Sequence, residues 1–326
     1  MRATAPDPAP ADADILIRPL READLPEVDR IFRLAFGTFI GFPDPMSFAA
    51  GRDFIGPRFR HDPDGMFVAE VAGKIAGSAL ANRWGSVGYF GPLTVDPKFW
   101  DRRIGRRLVE PCMDTFERWG CSQVTLFTFP HSAKHVALYQ KFGFWPRFLT
   151  MLMSKVAAPT TTEPFKPSLL SELPPESQTV CINECRKLTE QIYPGLDLTQ
   201  EIKAVLTQKL GDIVLVRVAQ RIEAFGVCHF GPGTEGGPDS CYVKFGAVRP
   251  GISASAHFDL LLDACEELAV VKKLKRVAAG VSTSRHEAYQ QMIEAGYRAD
   301  AQGIGMHRDN EAGYSRPGVF VMDDWR

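Results

Sequence analysis

The sequence predicts an α/β protein with a mixed sheet, laid out as two copies of one fold in tandem. Three observations predict it. The stretch Tyr89 to Gly120 reads as strand, basic loop and helix. A second strand and a short helix follow from Gln123 to Gly143. The second half of the chain then echoes the first at an offset of about 150 residues, in the same order.

Composition sets the bounds. A chain of 326 residues, 45% hydrophobic and 24% charged, fits two soluble domains of ordinary size. A net charge of −1 argues against nucleic acid as a partner, because it provides no global basic field. No apolar run is long enough to span a membrane, so a membrane partner is not expected. The seven cysteines form no CxxC pair and no metal-ligand spacing, which points to free thiols in a reducing cytosol. Cys181 and Cys185, four apart, fit one helix face. Residues 1–14 are rich in Ala, Pro and Asp, lack the apolar core of a signal peptide and read as disordered. A cytoplasmic location is the expectation.

Order begins with a short strand, Ile15 to Arg18, and a helix opening at Asp24 that carries Val28, Ile31, Phe32 and Phe36. Phe36, Phe39, Phe42, Phe48, Phe54 and Phe59 follow among glycines and prolines. Aromatic stripes of this kind are usually core, and most of these rings are expected to cap the sheet; an apolar acceptor pocket is the other reading. Met66 to Val71 and Ile75 to Asn82 read as a hairpin turning at Ala72-Gly73. The strand Tyr89 to Val95 has Gly91-Pro92 in its middle, which predicts a bulge, since proline cannot donate to a ladder.

The helix after that strand places Ile104, Leu108, Cys112, Phe116 and Trp119 on one stripe, with Pro111 inside it. Its first turn is an anion site in outline. Free N–H groups point out of the helix start, the helix dipole favours negative charge there, and Arg102, Arg103, Arg106 and Arg107 crowd the same turn around Gly105. A solvated basic face is the plainer alternative. Gln123 to Phe129 reads as a buried strand broken by Pro130. Ser132 caps a helix from about Ala133 to Phe142, and Gly143 ends it.

Over about Ile15 to Lys155 this order resembles the GNAT superfamily of N-acyltransferases, which use acyl-coenzyme A. The family's loop motif, Gln/Arg-x-x-Gly-x-Gly/Ala, falls on Trp100 to Gly105; Gly105 fits, while Trp100 stands for Gln/Arg and Arg103 for the first glycine. The later motif, Asn-x-x-Ala-x-x-x-Tyr-x-x-x-Gly-Phe, falls on Ser132, His135, Tyr139, Gly143 and Phe144, with the last three matching. The resemblance implies that acetyl-CoA is the co-substrate, with no metal. It places the phosphates at Arg102, Arg103, Ile104, Gly105, Arg106 and Arg107. It runs the pantetheine arm along Leu93, Thr94 and Val95 in a splay beside Gly91-Pro92, with Ser132 nearby. It makes Tyr139 the proton donor to the departing thiolate. A packing residue on one helix stripe with Val136 is the alternative reading of Tyr139.

No carboxylate stands on Gly88 to Val95, where many relatives carry their general base. Glu70 on the neighbouring hairpin is the nearest acid and reads as a surface residue; a water chain would also serve. His131 and His135 are spaced as a pair, but no third ligand stands near for a metal, and His135 reads as a cap-turn residue. The expected activity is direct acetyl transfer to a primary amine, on a small molecule rather than a protein. An acyl-CoA-binding sensor and a CoA-thioester lyase are the rivals.

The expected division is residues 15–156 as the catalytic domain, 157–167 as a Pro/Thr-rich linker and 168–326 as a second, degenerate copy. Val95-Asp-Pro matches Val248-Arg-Pro, and Ser132-Ala-Lys-His matches Thr283-Ser-Arg-His. The copy lacks the arginines, has Gly251 too early, and has Met292 where Tyr139 stands in the first half. Ser253 and Ser255 are expected to cap its main helix, and Val319 to Met322 to add a strand. Its expected role is to shape the acceptor cleft or a homodimer contact.

Overall fold

A computed structural model describes residues 15–159 and 168–325. Residues 1–14, expected to be disordered, and most of the expected linker lie outside the described residues.

The first half runs β1 (Ile15–Pro19), α1 (Leu25–Ile40), α2 (Gly56–His61), β2 (Met66–Val71), β3 (Lys74–Trp84), β4 (Val87–Val95), α3 (Ile104–Arg118), β5 (Gln123–Thr128), α4 (Ala133–Gln140) and β6 (Phe144–Val156). The second runs β7 (Ser168–Leu169), α5 (Pro175–Ile192), α6 (Thr199–Gln208), β8 (Gly211–Val218), β9 (Arg221–Gly231), β10 (Gly237–Val248), α7 (Ala254–Val271), β11 (Arg276–Ser282), α8 (His286–Glu294) and β12 (Arg298–Arg308), with β13 (Val321–Met322) after it. The element order of the first half thus recurs in the second. The hairpin turn falls where expected, on Ala72 (φ 49°) and Gly73 (φ 72°), both in the left-handed region that a two-residue turn of this kind requires.

The strands form one sheet in the order β1-β2-β3-β4-β5-β12-β6-β11-β10-β9-β8-β7. The two halves exchange their last long strands. β12 pairs antiparallel with β5, from Ile304 opposite Thr128 to His307 opposite Thr125. β6 pairs antiparallel with β11, from Arg276 opposite Val156 to Ser282 opposite Thr150. Each half is therefore completed by a strand of the other.

The core follows this exchange. Trp84, Val87 and Tyr89 of the first half pack in one cluster with Leu188, Phe225 and Phe245 of the second. Beside them lies a buried ionic network that also crosses the halves. Arg58 of α2 makes a two-pronged pair with Glu235 at 3.0 and 2.8 Å. Lys244 reaches Glu235 at 2.8 Å and Glu201 at 3.0 Å. Burial alone would raise the Glu235 carboxyl, but Arg58 and Lys244 outweigh it and hold its pKa at about 2. All seven cysteines are free thiols. Among the described residues, no helix is long and apolar enough to cross a membrane, and no cluster of three His, Cys, Asp or Glu side chains could hold a metal.

Candidate active site

The site begins at the break in β4. Antiparallel pairing with β3 slips between Leu93 opposite Ala79 and Phe90 opposite Ala81, so Gly91 and Pro92 form the expected bulge. The Gly91 carbonyl accepts from Asn82 Nδ2 at 3.0 Å and from Arg58 at 3.3 Å. Neither side chain was legible as part of the site; Asn82 holds the bulge from β3 and Arg58 from α2. Parallel pairing of β4 with β5 runs from Val87 to Phe90 and stops there. Beyond Phe90 the strands splay.

The edge facing that splay can be read from the pleat. The Asp96 N–H donates to Ala76 of β3. Backbone groups alternate sides along a strand. The amides of Val95 and Leu93 therefore face the splay, and that of Thr94 faces β3. The Thr94 hydroxyl pairs with Ser78 Oγ at 2.9 Å. Trp100, in place of the family's Gln or Arg, donates its Nε1 to the Val95 carbonyl at 2.8 Å, fastening the loop to the strand.

The loop has Arg103 at the place where the resembling motif carries its first glycine. Arg103 is the N-cap of α3 at φ 60°, ψ 8°, and Asp101 also has a positive φ of 65°. A non-glycine residue there carries a cost of about 1–2 kcal/mol. Successive turns of this kind aim backbone N–H groups into one concavity, a nest for an anion. A Cβ added at Gly105 would meet only Leu93 at 3.7 Å and Leu138 at 3.8 Å, both ordinary contacts. The protein itself leaves room at Gly105, and that room opens into the cleft.

The cleft has a volume of about 1030 Å³. Leu93, Thr94, Val95, Arg102, Arg103, Ile104, Gly105, Arg106, Ser132 and Tyr139 all line it; Arg107 does not. Lys134 and Lys141 add to its cationic rim, and Lys134 pairs with Asp101. Five of the six phenylalanines singled out in the sequence (Phe36, Phe39, Phe42, Phe48 and Phe54) line it as well; of these, Phe36, Phe48 and Phe54 also pack with the core. Arg33 of α1 fixes that wall by donating to the carbonyls of Phe48, Ala49 and Arg52 at 3.0, 2.7 and 2.7 Å.

Ser132 caps α4 as expected, accepting from the His135 amide at 3.4 Å. His135 and Tyr139, four residues apart, share one face of α4 and both line the cleft. Tyr139 is buried against the rings of Phe90 and Phe144, and burial pushes its phenol above the ordinary value. Burial, then the nearby Lys134 and His131, lower the His135 imidazole, so it is neutral at neutral pH. Its ring lies 4.9 Å from that of Phe39. Glu70 instead pairs with Arg18 on the outer hairpin. The far end of the cleft is closed by Leu152, Ala301, Gln302 and Trp325, most of it supplied by the second half.

The site thus brings together a splayed parallel pair of strands, a basic helix start and a buried phenol beside the splay. Residues 26–144 match the model of the acetyltransferase (GNAT) family. The acetyltransferase SG1711 of Sodalis glossinidius is 28% identical over 98 residues, spanning 30% of this chain and 69% of that protein. Among solved structures, a Pyrococcus horikoshii protein assigned to the acetyltransferases superposes with a TM-score of 0.69 at 12% identity, covering 99% of both chains. A GCN5-related N-acetyltransferase of Sphaerobacter thermophilus gives a TM-score of 0.58 at 16% identity, covering 97% and 98%. The two full-length likenesses are likenesses of fold. Residues 26–144, in the N-terminal half, are thus similar to the GNAT acetyltransferases.

Proposed function

We propose that the protein transfers the acetyl group of acetyl-CoA directly to a primary amine within a ternary complex, with the N-terminal half carrying both co-substrate and chemistry. The observation that carries this reading is the open splay of β4 and β5 next to an amide nest that survives the loss of its glycine. As co-substrate, acetyl-CoA supplies an activated acyl carbon and a thiol leaving group. The amides of residues 103–106, with Arg102, Arg103 and Arg106, would hold its phosphates. The amides of Leu93 and Val95 would hold the pantetheine arm and, at its end, face the developing oxyanion.

His135, neutral and facing the cleft, takes the proton that leaves the amine as the N–C bond forms. Tyr139 gives its proton to the sulfur as the C–S bond breaks. Residues 168–326 would close the acceptor side, for a small-molecule amine more readily than for a protein. An amine panel, followed by release of the CoA thiol, tests this. Thiol release that needs an amine supports it. Release without any amine would mean a lyase, and tight binding with no release a sensor.

A further inference from the structure

The phenylalanine wall of the cleft is left partly open. Phe36 and Phe39 of α1, Phe48 after it, Phe127 of β5 and Phe129 just beyond β5 all line the cleft, and each is only half-buried. Rings that serve the core alone are sealed in this protein, as Phe116 and Phe144 are. Apolar surface left open and gathered in a concavity marks a place where something apolar binds.

The rings form one connected run. Phe48 stacks on Phe36, with centroids 5.5 Å apart and planes 12° apart. Phe36 and Phe39 meet Phe129 at 6.2 and 4.9 Å, in tilted pairs. Phe39 meets the His135 ring at 4.9 Å. The run therefore leads from the segment after α1 to the end of β5, and from there to the imidazole assigned above to the amine's proton. On β12, Gly303 makes room for Phe127. A Cβ there would fall within the space of that ring, although the backbone at 303 is not in the left-handed region that calls for glycine. Aromatic rings prefer offset-stacked or edge-on aromatic neighbours, and such pairs gain more than burial alone provides. Among the described residues that line the cleft, Asp101 is the one carboxylate, and it is paired with Lys134 at the nest. Recognition of the acceptor thus falls to the rings.

We infer that the acceptor is an arylalkylamine, a primary amine joined to an aromatic ring by a short alkyl arm. The ring docks among Phe36, Phe48, Phe127 and Phe129, and the arm turns the amine towards His135. This rests on the reading above that an amine is the acceptor.

The test compares acceptors matched in size on the full chain: benzylamine against cyclohexylmethylamine, and phenethylamine against cyclohexylethylamine, with ethanolamine as the small polar control. At least one aromatic member should exceed its saturated partner about fivefold in kcat/KM, and ethanolamine about tenfold or more. Phe36→Leu and Phe129→Leu, which keep apolar bulk and remove the ring, should bring the aromatic-to-saturated ratio towards one, and Phe129→Tyr should preserve it. The ratio is taken within one variant, so a general loss of stability or of acetyl-CoA affinity cancels. Equal use of aromatic and saturated partners by the wild type, or a ratio that both Leu variants leave intact, would overturn the ring pocket while leaving amine acetylation standing. Equilibrium dialysis of labelled benzylamine and phenethylamine in the presence of CoA separates the two readings. Binding that Phe129→Leu weakens, with no acetylation of any amine, would keep the pocket and reject the transfer; no binding and no acetylation would reject the pocket.

Discussion

The two halves contain the same splay, and only one is open. In the first half β4 parts from β5 after Phe90, and the gap is part of the cleft. In the second, β10 parts from β11 after Val243, and the chain's own tail fills the gap. β13 pairs antiparallel with β10, Met322 opposite Gly246 and Val321 opposite Ala247, and the Val248 amide donates to Phe320. By the sequence echo, Gly246 to Val248 correspond to Leu93 to Val95. The edge left open in one half is satisfied by peptide in the other.

Side chains finish the plug. A Cβ on Gly246 would meet Met322 at 2.6 Å, and one on Gly280 would meet Asp324 at 2.2 Å, so both flanking strands carry a glycine where the tail lies against them. Arg285, at the start of α8 and fully buried, donates to the Val321 carbonyl and to Asp323, each at 2.6 Å. Met292, in the place of Tyr139, is core. Ser253 stands at the start of α7 without a side-chain cap bond, contrary to expectation. The comparison teaches that an exposed strand edge in a splay must be satisfied, and that a ligand groove and a peptide plug are two solutions on one scaffold.

The largest effect is expected from breaking the plug. Asp323→Ala leaves the Arg285 guanidinium buried without its carboxylate, which should cost about 3–5 kcal/mol in urea unfolding. Acetyl-CoA affinity should change little, because Asp323 reaches the first cleft only through its far wall, by way of Tyr314 and Trp325. Loss of binding in a folded variant would mean that the two grooves are not independent.

In the open groove, Tyr139→Phe keeps the ring and removes the proton donor. The expected result is a fall in kcat of about 10²-fold with the acetyl-CoA Kd unchanged. Full-speed turnover would make Tyr139 a packing residue, as Met292 is.

His135→Gln should also cost about 10²-fold, and it carries a pH signature. Burial lowers the imidazole, so in the wild type kcat/KM should hold at neutral pH and fall as pH drops below the ordinary imidazole value. The variant should lack that acid limb. A weakly basic acceptor, neutral throughout the range, keeps the substrate's own titration out of the profile. An unchanged limb would point to a water chain.

The smallest effect concerns the nest. Arg103→Gly relieves the positive φ but adds chain entropy to the unfolded state, so stability should rise by no more than about 1 kcal/mol, and binding should persist. Destabilisation would mean that the Arg103 side chain matters more than its backbone.

What could be read in advance was what is local. The β2–β3 turn, the bulge at Gly91-Pro92, the cap at Ser132 and the basic start of α3 are written in short patterns of residue type, and all are present. Thr94 and Arg107 show the limit of such patterns. They sit in the right stretch, but the pleat turns the amide of one to β3 and the helix turns the other off the cleft. The strand exchange was not legible, because β6 and β12 carry the same period, and either can pair with β5 or β11 by pattern alone. Leu152 and Ala301 reach the cleft on the exchanged strands, and Trp325 reaches it from the tail. The tail was expected to add a strand, yet nothing in Val319 to Met322 says which edge it joins.

The exchange also means that cutting the chain between its halves would strip each of a strand it depends on. The decisive measurement is therefore calorimetric titration of the intact chain with acetyl-CoA, beside a Gly105→Glu variant. Glu at 105 projects a carboxylate into the nest and disturbs little protein, given the room around that position. The account predicts one acetyl-CoA per chain, and none in a Gly105→Glu protein whose circular dichroism is unchanged. Two molecules per chain, or wild-type affinity in the folded variant, would contradict it.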